Sequence, residues 1–243
     1  MKKRILSILF IVVEFIMMTL IVIYETLTLV VKNDWVKNTP SQYRMVPVLY
    51  VLTTAFSFLF VFAWFLYLLI KDKGNIKTKS NILVVYLFLT LVADLLFNLL
   101  SNNFYGYIPF LVSYLLIALF IYKDKYELII RGCIYILFIV LSLSITKARN
   151  EKGIVGGLIV ATLLSNVIIL FVQYSKTHEK LTLILLVAQI LALISDLSNL
   201  VRGQFNSNKV VNDIAAYLVW ITYIGANSLI GIGYIESLND KIN

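Results

Sequence analysis

Apolar residues in this chain gather into eight long runs, set apart by short and strongly polar stretches. The runs cover approximately 5–31, 46–70, 81–100, 106–122, 128–146, 154–174, 181–201 and 214–235. A helix needs about 20 apolar residues to cross the hydrocarbon core of a bilayer, and each run is close to that length or longer. None shows the sustained polar/apolar alternation of a membrane β-barrel. The pattern therefore predicts an all-α fold, a polytopic membrane helix bundle of about eight transmembrane helices forming a single domain over 1–243. The connectors, such as KDKGNIKTKS, KDKYE and SKTHEK, are too short to hold a soluble domain. The opening MKKRILSILFIVV has the basic and apolar parts of a secretory leader. Its apolar character continues past Glu14 to Val31 without a small-residue cleavage site, so it reads as an uncleaved first span.

Composition sharpens this picture. Of 243 residues, 60% are hydrophobic and only 14% charged, against about 25% charged in a soluble domain. The net charge of +8 lies between apolar runs, where it sets orientation and meets anionic headgroups, and no nucleic-acid partner is expected. With the N-terminus inside, thirteen of the 21 Lys and Arg residues fall on the inner side, so the positive-inside rule places both termini in the cytoplasm. A lone cysteine, Cys133, leaves no internal disulfide, and a lone histidine, His178, leaves no histidine metal site. Neither metal nor cofactor is expected.

The exceptions to the apolar pattern carry the chemistry. Asp94 lies within NILVVYLFLTLVADLLFNLL and Asp196 within LTLILLVAQILALISDLSNLV. An ionised carboxylate at membrane depth costs roughly 2.5 to 3.5 kcal/mol on insertion scales, so such residues face a partner, a bundle interior or a wet cavity. Spans 3 and 7 run the same way, and both aspartates come within about six residues, or roughly 8 to 9 Å, of the outer end. Asn98 follows Asp94 by four residues and Asn199 follows Asp196 by three, each on its carboxylate's face of the helix. Thr90 and Ser195 extend the polar patches. In span 8, Tyr223, Asn227 and Ser228 fall on neighbouring turns, while Gly225, Gly231 and Gly233 permit close helix approach. Glu14 and Glu25 add two acidic positions to span 1. For each of these residues a purely structural role, neutral and hydrogen-bonded across a helix interface, stands beside the functional one.

Several of these residues also carry a family resemblance. Ser195-Asp196, with Phe205 downstream, resembles span 7 of the bacterial YhhN proteins and their animal relatives, the lysoplasmalogenases. Span 8 is similar to theirs through Thr222-Tyr223, Ala226-Asn227, Leu229-Ile230 and Gly233, with Asn227 where the family has Gln. Thr90 and Ala93-Asp94 resemble span 3, with Ala in place of Gly. Gly106 and Phe110 resemble the start of span 4, with Tyr114 in place of His. The resemblance covers spans 3 to 8. It implies an eight-span enzyme, in a bacterial inner membrane, that cleaves the vinyl ether of a lysoplasmalogen or related lysolipid.

Vinyl ethers hydrolyse by protonation at carbon, through an oxocarbenium ion that water traps. A carboxylic acid and a nearby carboxylate suit that chemistry, as they do in glycosidases. The implied catalytic pair is Asp94 and Asp196, in either order, with Asn98, Ser195, Asn199, Tyr223 and Asn227 orienting water and the lipid. A proton- or cation-coupled transporter using the same carboxylates is the alternative, with Glu14 and Glu25 extending a relay.

Overall fold

A computed structural model describes residues 2–30, 45–71, 78–99, 104–144, 151–204 and 209–238. Among them the backbone forms eight helices: α1 (Lys2–Val30), α2 (Met45–Lys71), α3 (Thr78–Leu99), α4 (Phe104–Ile121), α5 (Lys125–Ser144), α6 (Glu151–Thr177), α7 (Lys180–Gln204) and α8 (Lys209–Ser237). Each contains one of the expected apolar runs almost whole. Several helices run on into the flanking polar residues, because a helix ladder satisfies its own backbone whether its side chains meet lipid or water.

Among the described residues six helices, α3 to α8, are long and apolar enough to cross a membrane; α1 and α2 contribute apolar stretches at Ile8–Ile23 and Val51–Tyr67. The protein is an integral membrane protein on this evidence. Its surface agrees. Ile129, Ile136, Leu119 and Phe171 are each more than half exposed, a pattern suited to a surface solvated by lipid rather than water.

Helix neighbours define the architecture. α3 packs on α4, α4 on α6, α6 on α7, α7 on α8, and α8 returns to α3, so five helices close a ring. α1 and α2 pack on each other and on α8, with α2 also touching α3; α5 lies outside the ring against α6. Of the six helices α3 to α8, α8 is accordingly the most buried and α5 the least.

Two tight corners hold one end of the bundle. Residues 122–124 link α4 to α5, and 178–179 link α6 to α7. His178 takes the left-handed conformation there (φ 52°) and sets its ring edge-on to Tyr174. It is exposed, as expected of a loop residue. Ion pairs Lys123–Glu179 (3.5 Å) and Lys180–Glu236 (3.1 Å) tie these corners together and to the end of α8. We refer to this end as proximal and to the other as distal.

Close helix approach depends on small residues. A Cβ on Gly231 would lie 2.8 Å from the Phe10 ring and 3.4 Å from Val61, so the glycine lets α1, α2 and α8 converge on one point.

Candidate functional site

The five-helix ring encloses a cavity of about 380 Å³ in its distal half. Every helix of the ring contributes: α3 gives Asp94 and Phe97, α4 Tyr107 and Phe110, α6 Gly156, Ile159 and Val160. Helix α7 gives Ser195, Asp196, Asn199 and Leu200, and α8 Val219, Trp220 and Tyr223. The two aspartates singled out by the sequence thus open on one space. Helix α7 continues to Gln204, so Asp196 lies further from its helix end than the apolar run alone implied, yet it still reaches the level of Asp94.

The two carboxyls have different surroundings. Asp94 is 1% exposed, and its Oδ2 accepts hydrogen bonds from Thr54 Oγ1 at 2.6 Å and from the Tyr223 hydroxyl at 2.9 Å. Two donors from α2 and α8 therefore hold an α3 carboxyl in place. Asp196 is partly exposed to the cavity, and no donor is bonded to it among the described residues. Ser195 turns away instead and donates to the Val219 carbonyl at 3.3 Å, linking α7 to α8.

Aromatic rings form the wall beside Asp94. Phe97 meets Tyr107 edge-on at 5.2 Å and Phe110 at 5.6 Å; Phe110 in turn meets Tyr223 edge-on at 5.9 Å. Gly106 makes this possible, since a Cβ there would sit 2.8 Å from the Phe97 ring. The result is a mostly apolar chamber with polar groups at few points, the form that small-molecule and lipid sites take.

Other expected site residues are distributed as follows. Asn199 and Tyr223 line the cavity. Thr90 is buried and turned back on its own helix, donating to the Leu87 carbonyl. Asn227 is 2% exposed and lies one turn proximal to Tyr223, outside the cavity lining. Asn98, Glu25 and Phe205 lie outside the residues whose side chains are described. Tyr114 is buried, and its carbonyl accepts from Asn166 Nδ2 at 3.2 Å. Cys133 is exposed on α5. Among the described residues no cluster of three or more His, Cys, Asp or Glu side chains forms a metal site.

The structure adds polar groups that the sequence reading did not single out. Thr54 is one; its signal was a hydroxyl pair, Thr53-Thr54, inside an otherwise apolar span. A second network crosses α4 to α7. Arg131 Nη1 donates to Ser165 Oγ at 2.9 Å and to Asn166 Oδ1 at 2.6 Å, and Asn166 donates to Gln189 Oε1 at 2.9 Å. Nearer the proximal end, Gln173 bonds Glu127 Oε1 at 2.9 Å and the Ile121 carbonyl at 2.8 Å. These groups bond one another inside the bundle, which lowers the cost of polar side chains at membrane depth, although Arg131 Nη2 and Gln189 Nε2 are left without a partner.

No family model, no curated protein and no solved structure matches this chain.

Proposed function

We propose that the protein is a membrane lipid hydrolase of lysoplasmalogenase type, acting on the vinyl ether of a lysoplasmalogen or a related lysolipid. One observation carries this reading. Two intramembrane carboxyls, Asp94 and Asp196, open on one aromatic-walled cavity of about 380 Å³, with one carboxyl held by donors and the other facing the space freely. The likeness of Ser195-Asp196 and of span 8 to the YhhN family supports the same class.

In this reading Asp196 is the acid. It gives its proton to the vinyl carbon, and the ether oxygen's lone pair completes an oxocarbenium ion. Asp94, fixed by Thr54 and Tyr223, accepts a proton from water as the water oxygen bonds to that cation. The resulting hemiacetal collapses to a fatty aldehyde and the alcohol of the glycerol fragment. One water is consumed, and the proton taken by Asp94 balances the one given by Asp196. Phe97, Phe110 and Trp220 would pack along the alkenyl chain, while Asn199 orients water or the polar end.

A proton- or cation-coupled carrier is the second reading. What favours it is a further carboxyl, Glu14, buried one helical turn from the Asp94 network. Aldehyde release from lysoplasmalogen by purified protein in detergent decides between them, with proton uptake into proteoliposomes measured alongside. Aldehyde from wild type, and none from Asp94→Asn or Asp196→Asn, is the expected outcome. Substrate-coupled proton flux without aldehyde would replace the hydrolase with the carrier.

A further inference from the structure

Behind Asp94, away from the cavity, three helices place polar groups in successive layers. Phe10 of α1, Val61 of α2 and Gly231 of α8 meet at one level, with the Phe10 ring 2.8 Å from where a Gly231 Cβ would stand. Phe10 and Val61 are both 0% exposed, so this level is an apolar seal. One turn distal, four residues along each helix, lie Glu14, Ser57 and Asn227. A further turn brings Thr54 and Tyr223, the two donors to Asp94. Glu14 is thus sealed on its proximal side and lies one helical turn, about 5.4 Å along the axis, from the Asp94 network.

An ionised Glu14 would have no cation beside it among the described residues, and an unpaired charge this buried at membrane depth is costly. Ser57 Oγ is bonded to Glu14 Oε1 and also lies 3.2 Å from the Thr53 carbonyl. Ser57 gives its single proton to Glu14, since the Thr53 carbonyl already has its place in the α2 backbone ladder. Asp94 differs, since two hydroxyls donate to its Oδ2 whereas the second oxygen of Glu14, Oε2, has no partner. One layer is built to hold a proton and the next to accept one.

Between the layers lies an amide with spare capacity. Asn227 has no partner for either Oδ1 or Nδ2, and Glu14 Oε2 has none either. Asn227 is 2% and Glu14 3% exposed. Side chains this buried are normally satisfied by protein or by water. Asn227 stands level with Glu14 and one turn from Tyr223, so a water held on its amide would join the two carboxyls. The other titratable groups facing this stack are Tyr223 on its distal side and Tyr234 below the seal on α8; no ion pair reaches Glu14 among the described residues.

We propose that Glu14, with Ser57 and Asn227, forms a proton-holding site in series with Asp94, exchanging its proton with the cavity and closed toward the proximal end by Phe10 and Val61. The site stores a proton rather than conducting one across the bundle.

Infrared spectroscopy of the full-length protein in detergent tests this, following the carbonyl stretch of protonated carboxyls across pH in H₂O and D₂O. A band that disappears in Glu14→Gln and moves in Glu14→Asp is expected, which keeps the assignment secure if one of the two variants fails to fold. That band should lose amplitude as pH rises, and its midpoint should shift by about 1 pH unit in Asp94→Asn, the scale at which interacting sites separate. Asn227→Ala retains both carboxyls and should slow hydrogen–deuterium exchange of the band. A Glu14 band that does not titrate, or that ignores Asp94→Asn, would mean a fixed structural hydrogen bond and overturn the proposal. The readout requires no turnover, so a protein inactive toward lysolipids still gives a decisive answer.

Discussion

At the scale of single residues, the sequence marked Asp94 and Asp196 by their cost, and the structure separates them by their partners. A carboxyl held by Thr54 and Tyr223 differs from one that faces a cavity unbonded, although both look alike in their apolar runs. Positioned acid–base groups contribute typically 10² to 10⁴-fold to a rate. Asp94→Asn and Asp196→Asn should therefore each lower aldehyde release at least about 10²-fold, with the purified protein's elution profile and helix content unchanged. Arg131 is a different case. It stands near one end of an apolar run, and its side chain is 6% exposed and bonds Ser165 and Asn166. Hydrogen bonds between membrane helices are worth about 1 to 2 kcal/mol at most. Arg131→Met should lower stability in a denaturation titration by about that amount and leave the Asp94 layer, on the other side of the ring, intact.

At the scale of elements, the helices were legible because 3.6-residue geometry and bilayer thickness leave few alternatives for a long apolar run. Their facing sides were less so. Gly106 illustrates the difference. In the sequence it marks only the start of span 4, whereas in the fold it is where α4 lies against the Phe97 ring. Gly106→Ala should overpack this contact and cost about 1 to 3 kcal/mol, read as a fall in thermal stability. Adding Phe97→Leu should recover most of that loss, because the flat ring is what the new methyl meets. Glycine 231 has the same role between α8 and Phe10, at the level that seals the Glu14 layer.

At the scale of the whole molecule, stability rests on the interior of the ring and its three flanking helices. The Lys123–Glu179 pair at the proximal corners joins exposed groups, with side chains 44% and 55% accessible. Exposed pairs of this kind contribute about 0 to 1 kcal/mol and weaken with salt. Glu179→Gln should leave the unfolding midpoint within error of wild type, and so should raising the salt concentration. Lipid-facing Cys133→Ser should be equally silent in both stability and turnover.

The sequence by itself determined the number and extent of the helices, their membrane character and two of the groups that face the cavity. These follow from local quantities: the length of an apolar run, the price of a charge in hydrocarbon, and the spacing of polar residues on one face. The tertiary structure alone decided which helices close the ring, that α2 supplies Thr54 to Asp94, and that Glu14 and Asn227 share a layer behind it. Asp94 and Tyr223 are 129 positions apart, and nothing in an apolar span records which distant helix it will meet. In a membrane every span is apolar on most faces, so periodicity gives little direction to pairing. Close packing at small residues, and the mutual satisfaction of buried polar atoms, fixes the neighbours.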